Sequence, residues 1–125
     1  MKGYDLSGKD VPWSTDFGGM YRHATGTDPF QLPQRWQAVR TKLRPSTPLN
    51  FVSTNDIVGG SSGSPVIDTA GDLVGLIFDG NAPSLPNQFV YQTTTARAVS
   101  VDSAAMLEAL RVVYGADDLV RELTP

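Results

Sequence analysis

Glycine and proline punctuate this chain so often that no element in it can be long: 12 Gly and 9 Pro fall within 125 residues. Each tends to end or bend the helix or strand it enters, so short elements joined by many turns are the structures open to the chain. Hydrophobic residues make up 40%, which gives one domain a real core and excludes disorder. Against 13 Asp+Glu stand 10 Lys+Arg, for a net charge of -3 without a basic cluster. That balance speaks against a nucleic-acid surface and against a polybasic membrane patch. No apolar run approaches the roughly 20 residues of a membrane span, and the opening MKGYDLSGKD lacks the apolar stretch of a signal peptide. With no Cys and only His23, there is no disulfide, no thiolate and no His-built metal site, so neither a metal nor a cofactor is expected.

The pattern divides the chain into three segments. Residues 1–48 form an irregular lead-in with isolated aromatics, including Trp13, Tyr21 and Trp36. It holds one short helix near 33–43, because Pro33 suits a first helical position and Trp36, Val39 and Leu43 share a face. Residues 49–101 carry the runs LNFVST, IVGGSSG, SPVID, DLVGLIF, QFVYQTT and RAVSVD, which read as strands. Asp68 to Gly71 reads as a tight hairpin in which Gly71 supplies a positive φ. Residues 102–125 are helical. Asp102 or Ser103 caps a helix with Met106, Leu107, Leu110, Val113 and Tyr114 on one face, and Gly115 ends it. A last short turn from Asp117 points Leu119, Val120 and Leu123 inward.

Between two of the strand runs lies Gly59-Gly60-Ser61-Ser62-Gly63-Ser64-Pro65-Val66. A serine that attacks a carbonyl needs two backbone N–H groups aimed at the nascent oxyanion and small neighbours that let the substrate approach. Gly60 and Ser62 can supply those donors, Gly63 frees the space beside them, and Ser62 is the candidate nucleophile. A Gly/Ser-rich connector has the same composition. The flanking strands and the following Phe78-Asp79-Gly80-Asn81 favour the catalytic reading.

The stretch NFVSTNDIVGGSSGSPVIDTAGDLVGLIFDGN resembles the nucleophile region of bacterial dipeptidyl-peptidases seven and eleven, serine exopeptidases of the chymotrypsin-like clan. The resemblance continues more weakly through RAVSVD and ADDLVREL, and back into FGGMY and PFQLPQRW. It implies a mainly β fold: the second β-barrel of a chymotrypsin-like double barrel, with one or two C-terminal α-helices and the irregular lead-in. It implies Ser62 as acyl-enzyme nucleophile, with Gly60 and Ser62 forming the oxyanion hole. Asp79 would hold the free α-amino group of the substrate, a job for a fixed anion. Gly80 stands where the eleven branch, which prefers Asp or Glu as second substrate residue, carries Arg and the seven branch carries Gly, so an apolar preference is implied. The chain departs from the family at Ser61, which replaces Asn. Asp56 matches the acid at the base of a trypsin pocket by offset, but both branches have Asp there. It is therefore taken as structural, satisfying loop N–H groups, with tryptic specificity as the minority reading.

A serine also needs a base and an orienting acid. His23 sits in the irregular YRHATG stretch and is taken as a loop residue, so the catalytic His and Asp are expected in another part of a longer parent, with a first barrel and a helical domain. The expectation is a C-terminal fragment, inactive alone, of a periplasmic or secreted dipeptidyl-peptidase whose partners are a peptide substrate and the rest of that parent. The lead-in aromatics are expected to pack against those absent parts, and the apolar surface so exposed makes a homodimer one expected outcome in solution. Two other readings stay open. One is a non-catalytic module that holds a peptide terminus, the other an endopeptidase of the same clan.

Overall fold

The structure is a computed structural model that describes residues 1–5 and 7–124. Leu6 of the lead-in and Pro125 of the C-terminal segment lie outside the described residues. In chain order, β1 (Gly3–Tyr4) and β2 (Asp10–Val11) form a small antiparallel pair. Then come β3 (Ser14–Asp16), α1 (Phe17–His23), α2 (Gln34–Ala38), β4 (Pro48–Ser53), β5 (Pro65–Ile67) and β6 (Leu73–Gly80). A 3-10 helix (Ala82–Gln88) leads to β7 (Ala98–Asp102), α3 (Ser103–Glu108) with a π-helical turn (Ala109–Val113), and α4 (Asp117–Leu123). Among the described residues no helix is long and apolar enough to cross a membrane.

The expectation of a mainly β chymotrypsin-like barrel is not met. Helix accounts for 30% and strand for 24%, and the strands form two open sheets. The larger has the order β3-β4-β7-β6-β5, all antiparallel. A barrel closes only when its first and last strands pair, and here β3 and β5, three residues each, are separate edges. Two runs expected as strands are also something else. IVGGSSG is a loop, and QFVYQTT leaves the 3-10 helix as irregular chain with Phe89 83% exposed. Pro83 and Pro86 stand just before it and have no N–H for a ladder, so the chain coils into a 3-10 segment instead.

The lead-in packs part of its own aromatic surface: Phe17 is buried and Tyr21 and Trp36 are half-buried, while Trp13 and Phe30 stay exposed. Asp16 caps α1 by accepting the Gly19 N–H at 2.6 Å, and this turns Phe17 inward to complete burial. Phe17 packs with Leu43, Ala105 and Val113, so the main apolar cluster joins the lead-in to the C-terminal helices rather than filling the sheet. Trp36 meets Phe17 edge-on at 5.8 Å, and the Tyr21 hydroxyl donates to the Trp36 carbonyl at 2.6 Å. In α3, Asp102 caps by accepting the Ala104 N–H at 2.8 Å. The buried face is Ala105 and Glu108 in α3 and, across the π turn, Val113; Met106, Leu107 and Leu110 are half-buried and Tyr114 is exposed. In α4 only Val120 is buried, while Leu119 and Leu123 face outward.

Glu108 is the polar staple of this region. Its carboxylate accepts the Arg44 N–H at 2.6 Å and the Thr47 hydroxyl, and it meets Arg44 Nε at 3.3 Å. Because the Arg44 side chain is 77% exposed, the ion pair adds little, and the bonds to the N–H and the hydroxyl carry the contact. Burial pushes the Glu108 carboxyl up, but the Arg44 N–H, the Thr47 hydroxyl and the Arg44 guanidinium together bring it below its ordinary value. A carboxyl depressed in the folded state stabilises above its unfolded pKa, and that stability is lost as pH falls through the folded pKa. Glu108→Gln should therefore cost about 1.5–3 kcal/mol at neutral pH. Urea unfolding of both proteins at pH 7 and again below the usual carboxylate range should show the gap narrowing in acid.

Candidate functional site

The Gly/Ser loop is built from two successive turns. The Ser61 N–H donates to Val58 O at 3.1 Å and the Ser64 N–H to Ser61 O at 3.1 Å. The third residues of these turns are Gly60 and Gly63, at φ 99° and 87°. A positive φ at that place is the type II pattern, which only glycine adopts without strain, and it explains the spacing of the two glycines. Ser62 is thereby the second residue of the second turn and is exposed. The turns use the N–H groups of Ser61 and Ser64. Those of Gly60 and Ser62 donate to no protein acceptor among the described residues.

The loop is fastened to β6 by Gly63 N–H to Ile77 O at 2.7 Å and Ile77 N–H to Ser64 O at 3.0 Å. Ser62 Oγ reaches Phe78 O only at 3.5 Å, the limit of a hydrogen bond. Just there β6 is irregular: Ile77 pairs with Ser100 and Asp79 with Val99, so Phe78 is an extra residue. Such a bulge re-aims the side chains after it. Asp79 Oδ1 accepts the Gly80 N–H at 2.8 Å, which fixes the carboxylate on its own backbone.

Ser62, Gly60, Asp79 and Gly80 all line one cleft of about 510 Å³, together with Ile57 and Ser84. Among the described residues Asp79 is the one titratable residue lining it, and no Lys or Arg does. His23 lies elsewhere, on a separate cleft of about 650 Å³ beside Arg22 and Phe30. Asp56 is exposed and does not line the cleft. Among the described residues no loop N–H donates to Asp56, and that of Val58 goes to Ser61 Oγ at 3.2 Å. Ser61, the departure from the family pattern, thus holds the first turn. Among the described residues no three His, Cys, Asp or Glu side chains come together as a metal site.

Two residues of the site escaped the sequence reading. Asn81 Oδ1 accepts the Arg97 N–H at 2.8 Å, its Nδ2 donates to Thr95 O at 2.8 Å, and its backbone N–H donates to Arg97 O at 3.0 Å. Arg97 is buried and donates to the carbonyls of Lys2, Thr93 and Ala96, with its guanidinium 4.9 Å from the Tyr4 ring centre. In the sequence Asn81 stands only as the end of the Phe78-Asp79-Gly80-Asn81 motif. Nothing in the Arg97 neighbourhood of the sequence marks it as buried.

Relatives of this chain fall into one group. An Asp/Glu-specific dipeptidyl-peptidase of Shewanella putrefaciens is 42% identical over 62% of this chain and 11% of its own length. Dipeptidyl-peptidase 7 of Phocaeicola vulgatus is 40% identical over 62% of this chain and 11% of its own length. An Asp/Glu-specific dipeptidyl-peptidase of Capnocytophaga gingivalis is 32% identical over 85% of this chain and 16% of its length. Among solved structures, Porphyromonas endodontalis DPP11 in complex with the dipeptide Arg-Glu matches with a TM-score of 0.87 at 23% identity, over 100% of this chain and 19% of that one. This chain therefore spans a small part of the length of each protein it matches. The model of one family, peptidase S46, matches residues 1–125 from end to end, and the chain belongs to that family.

Proposed function

We propose that this chain carries the nucleophile and the amino-terminus site of a serine dipeptidyl-peptidase. The observation that carries the reading is the meeting of Ser62, Asp79 and Gly80 on one cleft. Ser62 Oγ attacks the carbonyl after the second residue of a peptide, and the N–H groups of Gly60 and Ser62 take the oxyanion. The amine leaves with a proton, and water then releases the dipeptide from the acyl-enzyme. Asp79 binds the free α-ammonium of the peptide, which sets the count at two residues. The general base and its carboxylate come from residues of the full-length protein outside these 125, so the chain alone does not turn over peptides. The parent acts in the periplasm or outside the cell.

Overall likeness does not choose the substrate, since the relatives include both Asp/Glu-specific enzymes and dipeptidyl-peptidase 7. The cleft favours an apolar second residue: an acidic one would be desolvated there without a cation to meet it.

The test uses the polypeptide encoded by the complete gene. A fluorophosphonate should label Ser62, and Ser62→Ala should abolish labelling and lower kcat for dipeptidyl reporters by on the order of 10⁴-fold or more. Absence of labelling together with peptide binding would instead support a module that holds peptide ends. Asp79→Asn should raise KM for free-amine reporters by about 10- to 100-fold. Equal cleavage of N-terminally blocked peptides by the unaltered protein would contradict the role given to Asp79 and indicate an endopeptidase.

A further inference from the structure

The wall of the cleft around Gly80 holds a second constraint on what can enter. A methyl group built on Gly80 would collide with Ser84 Oγ and lie 2.9 Å from Ile57 Cδ1. The Ile57 contact is the far end of a flexible side chain and can yield. Ser84 cannot yield so easily: it is 8% exposed, its hydroxyl donates to Asn81 O at 2.7 Å, and its N–H donates to the same carbonyl at 2.9 Å. Asn81 is itself held by Thr95 and Arg97. Moving the Ser84 side chain therefore breaks a bond in a chain of partners that runs to β7, and Pro83 on its amino side stiffens the backbone.

The donors of Gly80, Asn81 and Ser84 are also used up. The Gly80 N–H goes to Asp79 Oδ1, the Asn81 N–H to Arg97 O, and both donors of Ser84 to Asn81 O. Those three residues therefore offer no hydrogen to a substrate side chain, although the Gln88 amide and the N–H groups of Gly60 and Ser62 line the same cleft. A carboxylate against Gly80 and Ser84 meets no cation among the described lining residues, whereas an aliphatic or aromatic side chain needs none.

We propose that Ser84 is a second specificity-determining residue: Ser84 and Gly80 share one volume, and together they set how large the second residue of the substrate can be. This rests on the dipeptidyl-peptidase reading above. It places the glycine at position 80 under the control of its neighbour as well as of the substrate, so that the two positions must change together.

The experiment is a double-mutant cycle in the polypeptide encoded by the complete gene, with Gly80→Ala, Ser84→Gly and the double variant. Each is assayed on free-amine dipeptidyl reporters whose second residue runs from Ala through Leu to Phe, with Glu as the charged control. Gly80→Ala should lower kcat/KM for the Leu reporter about 10- to 100-fold and less for Ala. Ser84→Gly should raise the Phe-to-Leu ratio several-fold, and the double variant should recover Leu to within a few-fold of the unaltered protein. Thermal midpoints of the same four proteins give a readout apart from catalysis: the fall caused by Gly80→Ala should be reversed by adding Ser84→Gly. Losses that multiply with no rescue, or a size ranking that Ser84→Gly leaves alone, would overturn the assignment of Ser84 while the activity stands. If the unaltered protein releases no dipeptide from any reporter, the activity itself fails and the specificity role falls with it. In that case a rescued midpoint would leave Ser84 as a packing partner only.

Discussion

The candidate site hangs on how Asn81 uses its polar groups. Its backbone N–H and side-chain oxygen both bond Arg97, its side-chain nitrogen bonds Thr95 O, and its carbonyl takes the N–H and hydroxyl of Ser84. One residue thus joins the end of β6, the 3-10 helix and the start of β7. Arg97 extends the tie to Lys2 and Tyr4 at the amino end of the chain. A buried guanidinium bonded only to carbonyls and an aromatic face is costly to desolvate, and that cost is offset because its hydrogen bonds to Lys2, Thr93 and Ala96 are all 2.7–2.8 Å long. Connected polar networks of this kind specify one geometry where an apolar contact would allow several.

That rigidity matters because the apolar core is elsewhere. Phe17, Leu43, Ala105 and Val113 pack between the lead-in and the C-terminal helices, away from Ser62 and Asp79. The cleft is held by hydrogen bonds: two type II turns fastened to β6, a bulge at Phe78, and the Asn81 bracket. The open sheet suits this division. Its edge strand β5 carries the loop directly, so the loop tip is placed by strand pairing and needs no closed barrel beneath it.

Local backbone rules were legible in the sequence, and long-range pairing was not. Gly71 takes the positive φ that its hairpin requires, and the turn is legible there because other residues fit it only with strain; Gly60 and Gly63 take positive φ as well, which the roles of oxyanion donor and open space do not by themselves require. Asp102 as a cap was legible for a similar reason, since its carboxylate can reach only N–H groups of the next turn. Barrel closure was not, because alternation within a strand says which face is buried but not whether β3 and β5 meet. Burial of Phe17 depends on helices far along the chain, at Ala105 and Val113. The bulge at Phe78 leaves no mark in a run as uniformly apolar as Leu73 to Phe78, and the buried residues of α3, Ala105 and Glu108, are not those that apolar periodicity assigns to its face.

Electrostatics gives the site its direction. Among the described residues Asp79 is the one charged side chain lining the cleft it shares with Ser62, and no cation lines it there. A lone carboxylate raises the local concentration of ammonium groups and repels carboxylates, so under the proposed reading a peptide enters amino end first. The same charge disfavours an oxyanion nearby. The N–H groups of Gly60 and Ser62 must then offset the Asp79 charge as well as the charge of the intermediate. Once the substrate ammonium has bound Asp79 that opposition disappears, because the pair is neutral. Occupancy of the amino-terminus site thus favours the transition state more than the ground state, which is the condition for binding energy to appear in kcat. On the proposed reading, a blocked peptide that placed the same carbonyl beside Ser62 would leave Asp79 unpaired and meet the full repulsion, so selectivity for a free amino end would arise in the chemical step as well as in binding.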